Sequence, residues 1–258
     1  MTEVLNLGFI QVATAYVFTL IVLVIIRVRG IKKEKEVVIS TFRMTLQLVL
    51  AGYILGFVFD NPSPLLTIVF LLVMEGFAIY VILSRFKGQL STKLKKVIAF
   101  SVATNTLLCT CFFVLTVVRV TPWYNPQYFI PISGMIIGNS LTAVTLGVNS
   151  LLREMNDNRD KVMETLILGG SPKMATRKVI NNSFDVAIMP TINSMLSMGI
   201  VVLPGMMTGQ ILSGTSPTVA ITYQITIMLA ILGTVALSII TLLQLGYKSF
   251  FNEQQQMI

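Results

Sequence analysis

Long apolar runs alternate with short charged ones along this chain, and the lengths of the apolar runs set the architecture. Seven of them, at residues 8–26, 37–59, 65–83, 97–118, 129–150, 186–207 and 219–243, approach bilayer length. A helix rising about 1.5 Å per residue needs roughly 20 residues to cross a hydrocarbon core about 30 Å thick. The two-residue alternation of a membrane β-barrel does not compete. The pattern predicts an all-α polytopic membrane protein with about seven transmembrane helices, forming one permease-sized domain over residues 1–258. Gly and Pro inside the fifth and sixth runs are compatible with this, because bilayer helices tolerate both where neighbours satisfy the freed backbone groups.

Between the fifth and sixth runs the pattern changes. From Leu151 onward, Met155, Val162, Met163, Leu166 and Ile167 recur at near-helical spacing among Arg153, Glu154, Asp157, Arg159, Asp160, Lys161 and Glu164. The fifth span is therefore expected to continue beyond the membrane as an amphipathic helix. Gly169 and Gly170 supply a low-strain helix end, and Ser171-Pro172 supplies an N-cap followed by proline at the first helical position. The expectation is a bent helical elbow within residues 151–185, its returning arm running through Ala175, Arg177, Val179 and Ile180 towards Pro190. Two readings fit it: a solvated connector, or a coupling element that carries movement from a cytoplasmic motor into the flanking spans. Spacing alone does not choose between them.

Composition places the chain in the membrane. It is 54% hydrophobic and 12% charged, with a mean hydropathy of +0.81, against about 25% charged residues in soluble domains. A net charge of +8 and a pI near 9.6 raise the question of nucleic acid, but no basic patch is interleaved with aromatics. The cations sit between apolar runs instead. Arg27, Arg29, Lys32, Lys33 and Lys35 follow the first run, and Arg85, Lys87, Lys93, Lys95 and Lys96 the third. Arg153, Arg159, Lys161, Lys173, Arg177 and Lys178 follow the fifth, whereas the remaining loops offer only Arg119. Positive charge marks the cytoplasmic side, so the expected topology has the N-terminus outside and both the C-terminus and the elbow inside. The first run is not read as a cleavable signal: "MTEVLN" lacks a basic start, and the long apolar run is followed by positive charge.

The polar residues within the spans are few enough to weigh singly. Glu75 and Arg43 are costly against lipid and should face protein or water; their similar depths suggest a buried Arg43–Glu75 pair with Gln47 nearby, serving either helix register or a proton or cation gate. Asn139, Asn149, Asn193, Gln210 and Gln224 suit helix-to-helix hydrogen bonds as well as they suit a translocation path. Met195, Met198, Met206 and Met207 surround "LPGMMTGQ"; thioethers suit soft ions such as Cu(I) and are also ordinary membrane filler. Pro204 and Gly205 are candidates for a hinge or short re-entrant turn.

Catalysis finds little to work with. The chain has no histidine, and Glu75 lacks a second intramembrane carboxylate, so neither a Ser-His pair nor an aspartic dyad can form within one chain. Cys109 and Cys111, two positions apart on a helix, point to nearly opposite sides and cannot bridge each other. No G-x-x-x-x-G-K-[ST] phosphate loop occurs, so the chain is read as a non-enzymatic subunit whose energy comes from elsewhere. "ILSGTS" at 211–216 echoes an ABC ATPase signature by chance, on the expected outer side.

Three blocks carry a family resemblance: "TFRMTLQLVLAGYIL" at 41–55, "LLREMNDNRDKVMETLILGGSPKMA" from Leu151, and "MPTINSMLSMGIVVLPGMMTGQILSGTSPTVAITYQITIML" from Met189. In this order they resemble the FetB-type ABC transporter permease family, associated with bacterial iron export and, in plants, with aluminium tolerance. The resemblance implies a permease of the bacterial inner membrane, acting as a homodimer with two cytoplasmic ABC ATPase subunits. No cofactor would be bound by this chain, with ATP and Mg held by the partner. It also implies that Glu164, Gly169, Gly170, Ser171 and Ala175 form the coupling segment. Glu164 and Gly170 match the spacing of the importer E-A-A, then G, pattern, but Thr165 and Leu166 replace its alanines, which argues against an importer. Iron is inherited from the resemblance alone, since the only metal candidates are Glu75, Met206 and Met207. An iron chelate, a nucleotide sugar, or an ion-driven secondary transport cycle remain alternatives.

Overall fold

The computed structural model describes residues 8–252, 254, 256 and 257; the "MTEVLN" segment read above lies outside them. Among the described residues every long element is a helix, and the only bridges are the isolated pairs Met198 with Val202 and Phe251 with Met257. The described residues fall into two compact units, residues 8–62 with 212–214, and the remainder.

The first unit is built from α1 (Phe9–Val28) and α2 (Glu34–Asp60). Both helices are apolar around most of their circumference, and only Val58 is buried. Tyr16 and Thr45 share a hydrogen bond across the pair. Such all-round exposure of Phe18, Phe42, Leu48 and Phe57 is tenable where lipid or another protein surface covers the helices, and not in water.

The second unit contains α3 (Pro64–Arg85), α4 (Thr92–Phe112), α5 (Pro126–Asp157), α6 (Arg159–Ile167), α7 (Pro172–Ala175), α8 (Arg177–Ser197), α9 (Gly205–Leu212) and α10 (Pro217–Gly246). Local chemistry starts the long helices where it should. Ser63 Oγ accepts from Leu66 N–H and Ser91 Oγ from Leu94 N–H, while Asn125 Oδ1 caps α5 ahead of Pro126. The central element is α5, which packs against α3, α4, α8 and α10. Three helices approach closely at Gly147: a Cβ there would lie 3.4 Å from Ala187 Cβ and 3.4 Å from Leu242 Cδ2. Small residues allow such close approach in a bilayer, where packing rather than water exclusion drives helix association.

Among the described residues six helices are long and apolar enough to cross a membrane: α1, α2, α3, α4 with the π-helical turn Phe113–Val118 that continues it, α5, and α10 with its 3-10 extension Tyr247–Phe250. The sixth expected span, 186–207, is not one helix. Its first 12 residues are the second half of α8, whose first half carries Arg177, Lys178, Asn181, Asn182 and Asp185. Twelve residues rise only about 18 Å. The helix stops at Ser197, residues 198–204 are irregular with Gly199 at a φ of +88°, and α9 begins after Pro204. A hydropathy window does not see this interruption, because Ile200, Val201, Val202 and Leu203 are as apolar as a helix interior.

Candidate functional site

The elbow forms as its local signals dictate, with two further interruptions. Helix α5 runs well past its apolar stretch to Asp157 and bends at Asn158; α6 then carries the chain to Ile167. Its end is a Schellman motif: Gly170 N–H donates to the Thr165 carbonyl at 2.9 Å and Gly169 N–H to the Leu166 carbonyl at 3.0 Å. Gly169 takes a φ of +84°, the left-handed conformation that a Cβ disfavours. Gly170 is required for a different reason. A Cβ on it would stand 2.7 Å from Thr165 Cγ2 and 2.8 Å from the Thr165 carbonyl oxygen. Ser171 Oγ then accepts from Met174 N–H at 3.3 Å, with Pro172 at the first position of α7. The second extra bend falls at Thr176, whose hydroxyl donates to the Pro172 carbonyl.

Burial divides the elbow into an anchored base and a bare tip. Met155, Val162 and Val179 are buried together in the main apolar core. The carboxylate of Glu154 accepts from Asn182 Nδ2 at 3.0 Å and from Asn158 Nδ2 at 3.2 Å, joining the end of α5 to the returning helix α8. At the other extreme Ile167 is 79% exposed, Leu168 87% and Met174 61%. The amphipathic pattern assigned Ile167 to the packed face, but at about 100° per residue it lies about 140° round the helix from Val162. Glu164 and Ser171 are exposed on the outside of the turn, Ala175 is half-buried, and Lys173 and Arg177 border a groove of about 380 Å³ beside Met174 and Gln244. The Glu154–Asn182 contact was missed in the sequence because its partner lies 28 residues away.

Glu75, on α3, is 3% exposed. Thr106 Oγ1 on α4 lies 2.8 Å from Glu75 Oε2 and also 2.8 Å from the Val102 carbonyl. Glu75 Oε1 is buried with no hydrogen-bond partner among the described residues. Arg43 and Gln47 lie on exposed positions of α2, in the first unit, and Glu75 in the second. Asn139 donates to the Met135 carbonyl of its own helix, and Asn149 and Asn193 are exposed.

Around the irregular stretch 198–204 the polar and sulfur residues do converge. Met195, Met198, Met207 and Met228 line one cavity with Gln224, whose Nε2 donates to Met198 Sδ at 3.6 Å. Met206 packs half-buried against the main core, Gln210 is half-buried on α9, and Pro204 and Gly205 mark the start of that helix. Among the described residues no three His, Cys, Asp or Glu side chains group as metal ligands would.

Comparison with known proteins supplies what geometry does not. The profile of the uncharacterised protein family UPF0014 matches residues 9–251. The chain is 30% identical to the UPF0014 membrane protein YjkA of Bacillus subtilis, over 97% of this chain and 98% of that one. It is 31% identical to the probable iron export permease protein FetB of Escherichia coli, over 96% and 94%. A plant relative, protein ALUMINUM SENSITIVE 3 of Arabidopsis thaliana, is 30% identical over 97% and 90%. No solved structure matches the chain.

Proposed function

The chain belongs to the UPF0014 family of multi-pass membrane proteins, and we propose that it is the permease subunit of an ATP-driven ABC transporter that exports a small solute, iron first among the candidates. The observation that carries this reading is the elbow: a rigidly capped turn, anchored at its base to α5 and α8, that holds Ile167, Leu168 and Met174 out at its tip. Bare apolar residues on a polar extension mark a surface made to be covered. The cation distribution puts that tip on the cytoplasmic side, where a nucleotide-hydrolysing subunit is within reach. The name of the bacterial FetB relative supplies both the word permease and the cargo.

In this reading two permease chains pair with two cytoplasmic ATPase subunits in the bacterial inner membrane, and ATP and Mg reside on those subunits. ATP binding draws the motors together, and the elbow passes the movement to α5 and α8, shifting the balance between inward and outward arrangements. Co-expression with an ABC ATPase encoded beside the permease gives the test. Leu168→Glu should reduce co-purification about tenfold or more, while membrane insertion is retained. Proteoliposomes holding both subunits should move iron outward with ATP and fail with a non-hydrolysable analogue. Undiminished co-purification of the variant would remove the elbow from the interface.

A second reading rests on Glu75. Intramembrane carboxylates are costly and mark ion or proton paths by default, and an ion-driven secondary transporter would use this one. Ion-driven flux by the chain reconstituted without any ATPase would favour that reading, and Glu75→Gln should then abolish it.

A further inference from the structure

Helix α5 differs from its neighbours α3 and α10 in what it shows to its surroundings. Where α3 exposes Leu65, Leu72, Val73 and Phe77, and α10 exposes Ile221, Ile225, Leu229 and Leu237, the residues that α5 exposes between 129 and 150 are Pro131, Gly138, Asn139, Thr142 and Asn149. At about 100° per residue the last four fall within a quadrant or so of the helix and form one stripe. Asn139 lies ten residues beyond Phe129, about 15 Å into a hydrocarbon core about 30 Å thick. An outward face of amides, a hydroxyl and glycine at that depth is unfavourable against lipid, so water or protein must cover it.

At its cation-rich end the stripe opens into a cavity of about 370 Å³ between α5 and the end of α3, lined by Arg85, Thr142, Thr145 and Asn149 among apolar side chains. That volume suits a small molecule. The hydroxyls of Thr142 and Thr145 donate back to the carbonyls of Gly138 and Leu141 on their own helix. Arg85 and Asn149 offer N–H donors that no side chain among the described residues engages. Cations at this boundary are expected of any inward loop, but of Arg85, Lys87, Lys93, Lys95 and Lys96 only Arg85 lines the cavity. No carboxylate, thiol or imidazole lines it, so a bare iron cation would meet a positive charge and no anionic ligand. A guanidinium beside an amide is instead a donor set for oxyanions, because its planar fork matches carboxylate or phosphate.

We propose that the polar stripe of α5 is the wall of a water-filled solute path, and that the cavity at its Arg85 end receives an oxyanion, a solute bearing carboxylate or phosphate. Iron cargo then enters as an anionic complex and not as the bare ion. The inference rests on the permease reading above, but on neither the elbow nor an ATPase.

The test uses the full chain carrying Cys109→Ser and Cys111→Ser, in lipid nanodiscs without ATPase, with single cysteines probed by a charged, membrane-impermeant maleimide. Asn139→Cys and Thr142→Cys should react about tenfold or more faster than Leu72→Cys and Leu229→Cys, because the thiolate forms in water and not in lipid. Fe(III)–citrate, inorganic phosphate and Fe(II) are then offered as protectants of Thr142→Cys. Protection by Fe(III)–citrate supports a metal–carboxylate complex as the solute, and protection by phosphate alone supports a phosphate-bearing one. Arg85→Gln should raise the half-protecting concentration about tenfold, the effect of one charge-assisted hydrogen bond, with Arg85→Lys in between. Protection by Fe(II) alone, or by none of the three, would overturn the oxyanion site. Slow labelling along the whole stripe would overturn the path, and so would Asn139→Cys that resists the maleimide yet forms a disulfide with a second copy on oxidation. Labelling needs no ATP, so a failed elbow test leaves this result standing, while slow labelling beside intact ATP-driven export strikes the path alone.

Discussion

Helix α8 lies between two interruptions of opposite character. At its start is the elbow, where Gly169 and Gly170 N–H close a Schellman turn and a glycine stands where a Cβ would collide. At its other end is the stretch 198–204, where Ser197 Oγ donates to the Asn193 carbonyl, a short bridge joins Met198 and Val202, and the chain borders a methionine-lined cavity. A Cβ at Gly170 would collide with Thr165, which locks the first turn, whereas a Cβ at Gly199 in the second would meet nothing within 4 Å. In the proposed transport cycle α8 carries displacement from the locked turn to the unlocked one.

The sharpest way to break this comparison is at the stiff end. Gly170→Val places atoms against the Thr165 carbonyl at about 2.8 Å and forces the Schellman turn open, at a cost of about 2–3 kcal/mol. The elbow would then re-form in another shape rather than flex. Transport and permease-stimulated ATPase activity should fall by more than tenfold, with insertion into the membrane unchanged. Measuring both on the same proteoliposomes checks it; full coupling in the variant would mean that the elbow's shape does not matter.

The two ends also differ in how far they were legible before the structure. Gly169, Gly170, Ser171 and Pro172 announce a stop and a start within consecutive residues, and the structure forms both caps. The break at 198–204 is disguised, because the apolar run continues straight across it and only the backbone turn at Gly199 reveals it. Longer-range features were out of reach for a different reason. Glu154 acquires Asn182, and Glu75 acquires Thr106, only once α5 meets α8 and α3 meets α4. The exposure of Leu168 was hidden because periodicity identifies a face without saying what covers it.

A smaller effect tests the anchor. Glu154→Ala leaves the amides of Asn182 and Asn158 without the carboxylate that holds them. The loss should be about 2 kcal/mol, read as a lower thermal midpoint for the purified chain and faster hydrogen exchange in α6. Asn182→Ala should do the same, and the double variant should cost less than the sum, because both remove one contact. Coupling should weaken only partly, since Met155, Val162 and Val179 still hold the base of the elbow. Additive losses would show that the Glu154–Asn182 contact does not act as one unit.

The smallest effect is the most discriminating, because it applies one change to both ends. Gly169 and Gly199 share a positive φ, +84° and +88°, and a Cβ on either meets nothing within 4 Å. Alanine at each position therefore costs the same conformational strain, about 1–2 kcal/mol. If local strain governed function, the two variants would behave alike. If the elbow must hold its shape while the outer segment can shift, they should diverge. Gly169→Ala should lower stimulated ATPase activity severalfold. Gly199→Ala should leave that activity within about twofold and move the strain into the segment beside Met198, where hydrogen exchange would quicken instead. Equal losses at the two positions would erase the distinction between handle and hinge.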